Sequence, residues 1–361
     1  MTDWFDLARP LLQRLDPEQA HRLTLRALAG GLVPRQPADT DPILQTRLFG
    51  RAVPNPVGLA AGFDKNARVF HRMWGQGFGW VEVGGVTPRA QVGNPRPRLF
   101  RLAEDHAVIN RMGFNNDGAA AIAARLAARP QPGRLLGVNL ASNSDSAAPA
   151  DDFVILVERF ARLADYLVID VSCPNTRNGR VFQDPVALKD LLARLTAVRS
   201  AQAAACALVA KIAPDLTPAE LEAIVGVILE ARLDGLIVGN TTVARPVSLR
   251  ARDRAEAGGL SGAPLFAPST ELLRAVARQT AGRLTLIGTG GVASGADAYA
   301  KIRAGASAVQ LYSALVYRGS GLVTSIKREL AQRLRADGFS SLAAAVGVDV
   351  GTDTAPIRRS A

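Results

Sequence analysis

Eight short apolar runs recur along this chain, at residues 57–60, 80–86, 135–141, 166–172, 207–213, 235–241, 284–291 and 308–314, and each is followed by a stretch of helical periodicity. Strands that alternate with helices imply a parallel sheet. Eight such units imply an α/β fold, a closed (β/α)8 TIM barrel. The run Tyr166–Ser172 shows which way each side chain faces: Val168, Asp170 and Ser172 alternate with Ile169 and Val171. In a closed barrel the first set looks inward and the second meets the helix layer.

The chain has 361 residues, more than the ~250 of a plain barrel, so something is appended. Residues 3–30 read as two amphipathic helices. Trp4, Leu7, Ala8, Leu11, Leu12 and Leu15 share one face. Asp16-Pro17 opens the second helix, which carries Ala20, Leu23, Ala27 and Leu28 and ends at Gly30-Gly31. The pattern favours a helix pair docked on the main domain over one lying in a lipid interface. A connector with Pro34, Pro37 and Pro42 follows, and Leu99–Ile109 reads as a hairpin inserted after the second strand. The expected organisation is a helical extension at 1–40, the barrel at 41–350 and a disordered tail at 351–361.

Several function classes are disfavoured at once. No run of ~18 apolar residues is present to span a membrane. The first residues carry Asp3 and Asp6 without a basic region, unlike a signal peptide. The net charge of +11 favours anionic partners. Its arginines are scattered, without a basic run interleaved with aromatics, so nucleic acid is the least supported of these. Two cysteines, Cys173 and Cys206, make no disulfide framework and suit a reducing compartment. His21, His71 and His106 are the only histidines, and none stands at metal-ligand spacing, so no metal site is expected.

Barrels of this kind work at the C-terminal ends of their strands. There the fourth strand offers Asp170, Cys173 and Asn175, a carboxylate, a thiol and an amide within six residues; a small Cys that merely packs is the plain alternative. Lys65 and Lys211 stand at strand ends facing a common centre, and a lysine inside a barrel needs an anion. The loops after the last two strands, GTGG and LYSA, suit a phosphate on backbone N–H groups. Asn110, Asn115, Asn116, Asn139, Asn175, Asn240, Thr241 and Thr242 form a neutral hydrogen-bonding set. Such a set suits a planar, amide-rich ligand such as a pyrimidine or a flavin ring.

The strand-end motifs AAGFDKN, GNPRPRLFRL, NRMGFNN, SCPNT, KIAPDL, NTT, GGLSG and LYS, in this order, resemble those of the dihydroorotate dehydrogenases, the FMN enzymes of pyrimidine (UMP) biosynthesis, over roughly residues 3–350. The N-terminal helices with LDPEQAH resemble the class 2 branch, which passes electrons from FMN to ubiquinone or another membrane quinone. The resemblance implies oxidation of dihydroorotate to orotate by a peripheral protein on the cytoplasmic side of the inner membrane, its residues 1–40 serving the quinone and the membrane. It implies FMN held by Ala61, Gly62, Phe63, Asp64, Lys65, Gly85, Asn139, Asp170, Lys211, Gly239, Gly262, Gly291, Tyr312 and Ser313. It implies dihydroorotate held by Lys65, Asn110, Arg111, Met112, Gly113, Phe114, Asp170, Asn175, Asn240 and Thr241. Cys173 falls on the catalytic base, and His21 and Arg101 fall near the quinone entrance. Cys173 stands where the class 2 branch has Ser, Asp170 where the family has Asn, and Gly85 and Gly239 where it has Thr or Ser. These departures keep a related FMN oxidoreductase of another cyclic amide, or one using a soluble acceptor, as the alternative. A non-catalytic flavin- or membrane-binding relative is a further one.

Overall fold

A computed structural model describes residues 4–37, 41–128, 133–171, 181–203 and 205–351. Each expected run contains a strand: β1 (Val57–Leu59), β2 (Trp80–Val86), β3 (Leu136–Leu140), β4 (Tyr166–Asp170), β5 (Ala207–Ile212), β6 (Gly235–Val238), β7 (Thr285–Thr289) and β8 (Ala308–Leu311). They close into a barrel in chain order, with every neighbouring pair parallel. The facing of β4 follows its alternation. Ile169 and Val171 join the core between barrel and helices, while Val168 joins the interior cluster.

The lower half of the barrel is a largely apolar plug. Trp80 and Tyr166 are fully buried inside it. They fit because β1 and β3 carry glycines: a Cβ on Gly58 would lie 2.2 Å from Trp80, and one on Gly137 2.0 Å from Tyr166. A hairpin not foreseen from the sequence, Thr46–Leu48 with Arg51–Val53, seals this end. It inserts Leu48 and Val53, while Phe49 meets Tyr166 with ring centroids 5.1 Å apart. Each buried aliphatic of this size stabilises by about 1.5–3 kcal/mol. The plug therefore closes the bottom firmly and leaves chemistry to the opposite end.

Over the mouth lies a three-stranded antiparallel sheet. The expected hairpin supplies Leu99–Leu102 and Ala107–Asn110, and Gly259–Gly262 adds a third strand that the sequence did not announce. The expected helix pair is α1 (Trp4–Arg14) and α2 (Pro17–Ala29). Asp16 caps α2, accepting from the Gln19 N–H at 3.0 Å. The pair is tied to the barrel by charge. Glu18 accepts from Arg98 at 2.8 Å and Arg96 at 2.9 Å, with Arg98 only 5% exposed. Arg101 donates to the carbonyls of Leu12, Gln13 and Leu15, satisfying the C-terminal end of α1. Docking is only half the story, however: Phe5, Ala20 and Leu28 are buried, while Leu7, Leu11 and Leu23 stay exposed. Among the described residues no helix is long and apolar enough to cross a membrane. Residues 352–361, the bulk of the expected tail, lie outside the described residues.

Candidate active site

One cavity of about 460 Å³ runs from the strand ends, under the three-stranded sheet, to the inner face of α1 and α2. Its barrel side is lined by Asn139 on β3, Asp170 on β4, Lys211 on β5, Thr289 on β7 and Gln310 on β8, with Asn240 and Thr241 just past β6. Parallel register sets Asp170 directly beside Lys211. The Asn240 Nδ2 donates to Asp170 Oδ1 at 3.2 Å. Asn110, Met112, Gly113 and Phe114 descend from the hairpin, and Gly262 and Ser261 from the third strand.

Lys65 enters from the loop after β1. Its ammonium donates to the Gly62 carbonyl at 2.8 Å, and burial pulls its pKa down to about 8, with the Glu18 carboxylate the main influence opposing that fall. Asp64, its neighbour, is buried but does not line the cavity. Its carboxylate accepts from the N–H groups of Arg68 and Val69 at 2.8 and 2.7 Å, which folds the loop that presents Lys65. Other expected residues likewise serve the frame. Arg111 pairs with Glu256 at 2.7 Å and stacks over Phe100, outside the lining. Asn116 ties Thr87 to Phe114, and Thr242 donates to Asp215. Gly239 sits beside the lining rather than in it, and Cys173 and Asn175 lie outside the described residues.

At one end of the cavity Gly290, Gly291, Val292 and Ser313 present backbone and one hydroxyl. A Cβ on Gly291, whose φ is +73°, would come within 2.5 Å of Phe266, so the chain can pass there only as glycine. The nearby helix Gly295–Arg303 does not offer its own N-terminus: Glu329 accepts from the Gly295 and Ala296 N–H groups at 2.8 and 3.1 Å. A bare backbone cradle at one end and an amide, carboxylate and ammonium set at the other fit a flavin mononucleotide in phosphate and ring respectively. His21 from α2 and Arg101 from the hairpin both line the cavity as well. His21 is buried and its pKa falls to about 4, burial first and the Lys65 charge second.

The sequence reasoning missed Glu82. It is fully buried on the inner face of β2, two residues beyond Trp80. Burial pushes its carboxyl up, and the Lys211 charge is the largest influence holding it down. Its parity was available as a signal, since a lone acid in the apolar run WVEVGGV falls on the same face as Trp80.

A family model described as dihydroorotate dehydrogenase matches residues 43–334. The chain is 54% identical over 354 residues to the dihydroorotate dehydrogenase (quinone) of Rhodospirillum rubrum, covering 97% of this chain and 95% of that one. It is 51% identical over 354 residues to the enzyme of the same name from Azorhizobium caulinodans, covering 96% and 99%. Among solved structures it is similar to DHODH from Eimeria tenella in complex with ferulenol, with a TM-score of 0.88 and 42% identity over 92% of this chain and 96% of that one.

Proposed function

This chain belongs to the dihydroorotate dehydrogenase family, and we infer from that and from its cavity that it oxidises (S)-dihydroorotate to orotate and passes the electrons to a quinone. The observation that carries the reading is the continuity of the cavity: residues of the barrel centre and of α1 and α2 line the same 460 Å³ space. An electron donor bound at the strand ends and an acceptor entering between the helices would share one chamber.

FMN is the cofactor in this reading, and when bound it supplies the acceptor for the hydride from substrate C6. The residues of the chain do the rest. Gly291, Ser313 and Gly262 receive the phosphate end, and Asn139, Lys211 and Asp170 meet the ring edge. Lys65 neutralises the substrate carboxylate, and Asn110, Asn240 and Thr241 orient its amide edges. Cys173 takes the C5 proton as thiolate; an ordinary thiol near pKa ~8.5 is only fractionally ionised at pH 7, so flavin reduction rises with pH and then levels off. The extension at 1–40, with Leu7, Leu11 and Leu23 exposed on a chain of net charge +11, rests on an anionic membrane surface as a peripheral element on the cytoplasmic side of the inner membrane and admits the quinone past His21 and Arg101.

The test is anaerobic. Dihydroorotate should bleach the bound flavin, and quinone should restore it. Cys173→Ala should slow the bleaching by about 10²–10⁴-fold while orotate still binds. A protein that holds no flavin, or a flavin untouched by dihydroorotate, would refute the reading. Removal of residues 1–30 should abolish membrane binding and the quinone step but spare the bleaching.

A further inference from the structure

Directly below the cavity residues Asn139 and Lys211 lies a hydrogen-bonded cluster centred on Glu82. One of its oxygens accepts from Asn139 Nδ2 at 3.2 Å; the other accepts from Tyr166 Oη at 3.2 Å and from Gln310 Nε2 at 2.6 Å. β5 contributes the charge of Lys211, and β6 and β7 turn only Ile237 and Ile287 into the interior cluster. β1 contributes Gly58, and Asp170 stands one layer above. Among the described residues Glu82 is thus the single carboxyl of this cluster, bonded to two amides and a phenol, with Lys211 and Asp170 together in the level above.

Gln310 is the uncommon member. Its Nε2 makes the shortest contact in the cluster, while its Oε1 is buried with no hydrogen-bond partner. A half-turn of that amide exchanges the two atoms. A neutral Glu82 would then donate its proton to Oε1 across the same short gap, still accepting from Tyr166 and Asn139. Neither arrangement loses a hydrogen bond, so the pair accommodates Glu82 with or without a proton. An unpaired buried carboxylate is costly, and this one shares Lys211 with whatever charge arrives in the cavity above.

We propose that Glu82 and Gln310 form a proton store in the barrel floor: Glu82 takes up one proton from solvent when an electron pair enters the site, which frees the Lys211 charge for the ring above. The balance is simple, one carboxylate plus one proton giving one carboxylic acid, and the amide of Gln310 turns to accept it. This inference rests on the FMN reading and deepens it. Glu82 acts here as a positioning residue, through Asn139 and Lys211, and does not itself meet substrate.

The midpoint potential of the bound flavin should be measured against pH in the holoenzyme and in Glu82→Gln, which preserves shape and the contacts of Asn139. Each proton taken up with an electron pair adds about 30 mV per tenfold change in proton activity. The native protein should show a steeper slope than the variant, by up to one proton's worth, across the range where Glu82 titrates. Equal slopes would overturn the proposal. If Glu82→Gln does not fold, the reduced-minus-oxidised infrared spectrum of the native holoenzyme decides: a protonated carboxyl stretch should appear on reduction, and its absence overturns the proposal. Failure to retain flavin at all would instead sink the reading on which this one rests.

Discussion

His21 on α2 meets Phe63, in the loop after β1, edge to face with ring centroids 5.3 Å apart. Tyr312, past β8, completes the contact at 5.6 Å from Phe63 and 6.2 Å from His21. The extension therefore touches the loops proposed to hold the cofactor through one aromatic cluster. His21 is neutral through the physiological range, its pKa held near 4 by burial and by Lys65, so it offers hydrogen bonds and not charge. Its folded pKa lies below its unfolded value of ~6.5, so protons favour the unfolded chain. Stability should fall as pH drops from about 6.5 towards 4, by about 3 kcal/mol at most for this group. His21→Gln should flatten that part of the stability–pH curve in denaturant titrations and slow reoxidation by quinone, with reduction by dihydroorotate preserved. An unaltered acid limb would mean that His21 is solvated in solution.

Lys65 gives a prediction on the alkaline side. Its pKa is pulled down to about 8, and the proposed function gives its cation the anionic substrate to hold. Orotate affinity, read from the perturbation of the flavin spectrum, should be flat below pH 8 and fall about tenfold per pH unit well above it. Glu18 is the strongest influence opposing the fall, although it belongs to the extension. Glu18→Gln should therefore move the limb to lower pH. It should also cost about 3 kcal/mol, the low end for breaking a buried ion pair, because Arg98 would keep its charge at 5% exposure.

Much of the barrel was legible because period-two alternation is a local property. The eight runs and the facing of Val168 against Ile169 needed no knowledge of partners. What escaped was tertiary. Nothing in GGLSG announces that Gly259–Gly262 pairs with Ala107–Asn110, because glycine carries little strand propensity. Glu18 and Arg98 stand 80 residues apart, and neither is unusual until they meet. The candidate site divided along the same line. Lys65, Asn139, Asp170, Lys211 and Asn240 line the cavity, as their strand-end positions suggested. Asp64, Arg111 and Asn116 turned to the frame, because a loop polar group as often holds its own backbone as a ligand.

The resemblance expects Thr or Ser in place of Gly85, yet a Cβ on Gly85 would lie 2.8 Å from the ring of Phe114, which lines the cavity. Gly85→Ser should push that ring into the space for substrate. A loss of about tenfold in dihydroorotate affinity is expected, the ~1.4 kcal/mol of a modestly overpacked contact. Tighter substrate binding in Gly85→Ser would show that Phe114 yields without cost.

Asp170 and Lys211 are register partners on β4 and β5 and both line the cavity. The family resemblance expects a neutral Asn at the first position, so this chain adds a carboxylate beside the one ammonium on the barrel side of the described cavity lining. Two unit charges ~4 Å apart interact by roughly 4 kcal/mol at an effective dielectric of 20, so even a screened fraction of such a term is measurable. An ionised Asp170 offsets the help that Lys211 gives to negative charge on the ring. Asp170→Asn removes the charge and keeps an oxygen for the Asn240 Nδ2, now 3.2 Å away. The midpoint potential of bound FMN should therefore rise by tens of millivolts, given that 30 mV is ~1.4 kcal/mol for two electrons. This effect should be a uniform displacement with pH, whereas loss of the Glu82 carboxyl changes the slope, so the two acids can be told apart in one titration. An unchanged or lower potential, with the flavin still bound, would show that Asp170 is protonated or already neutralised by Lys211.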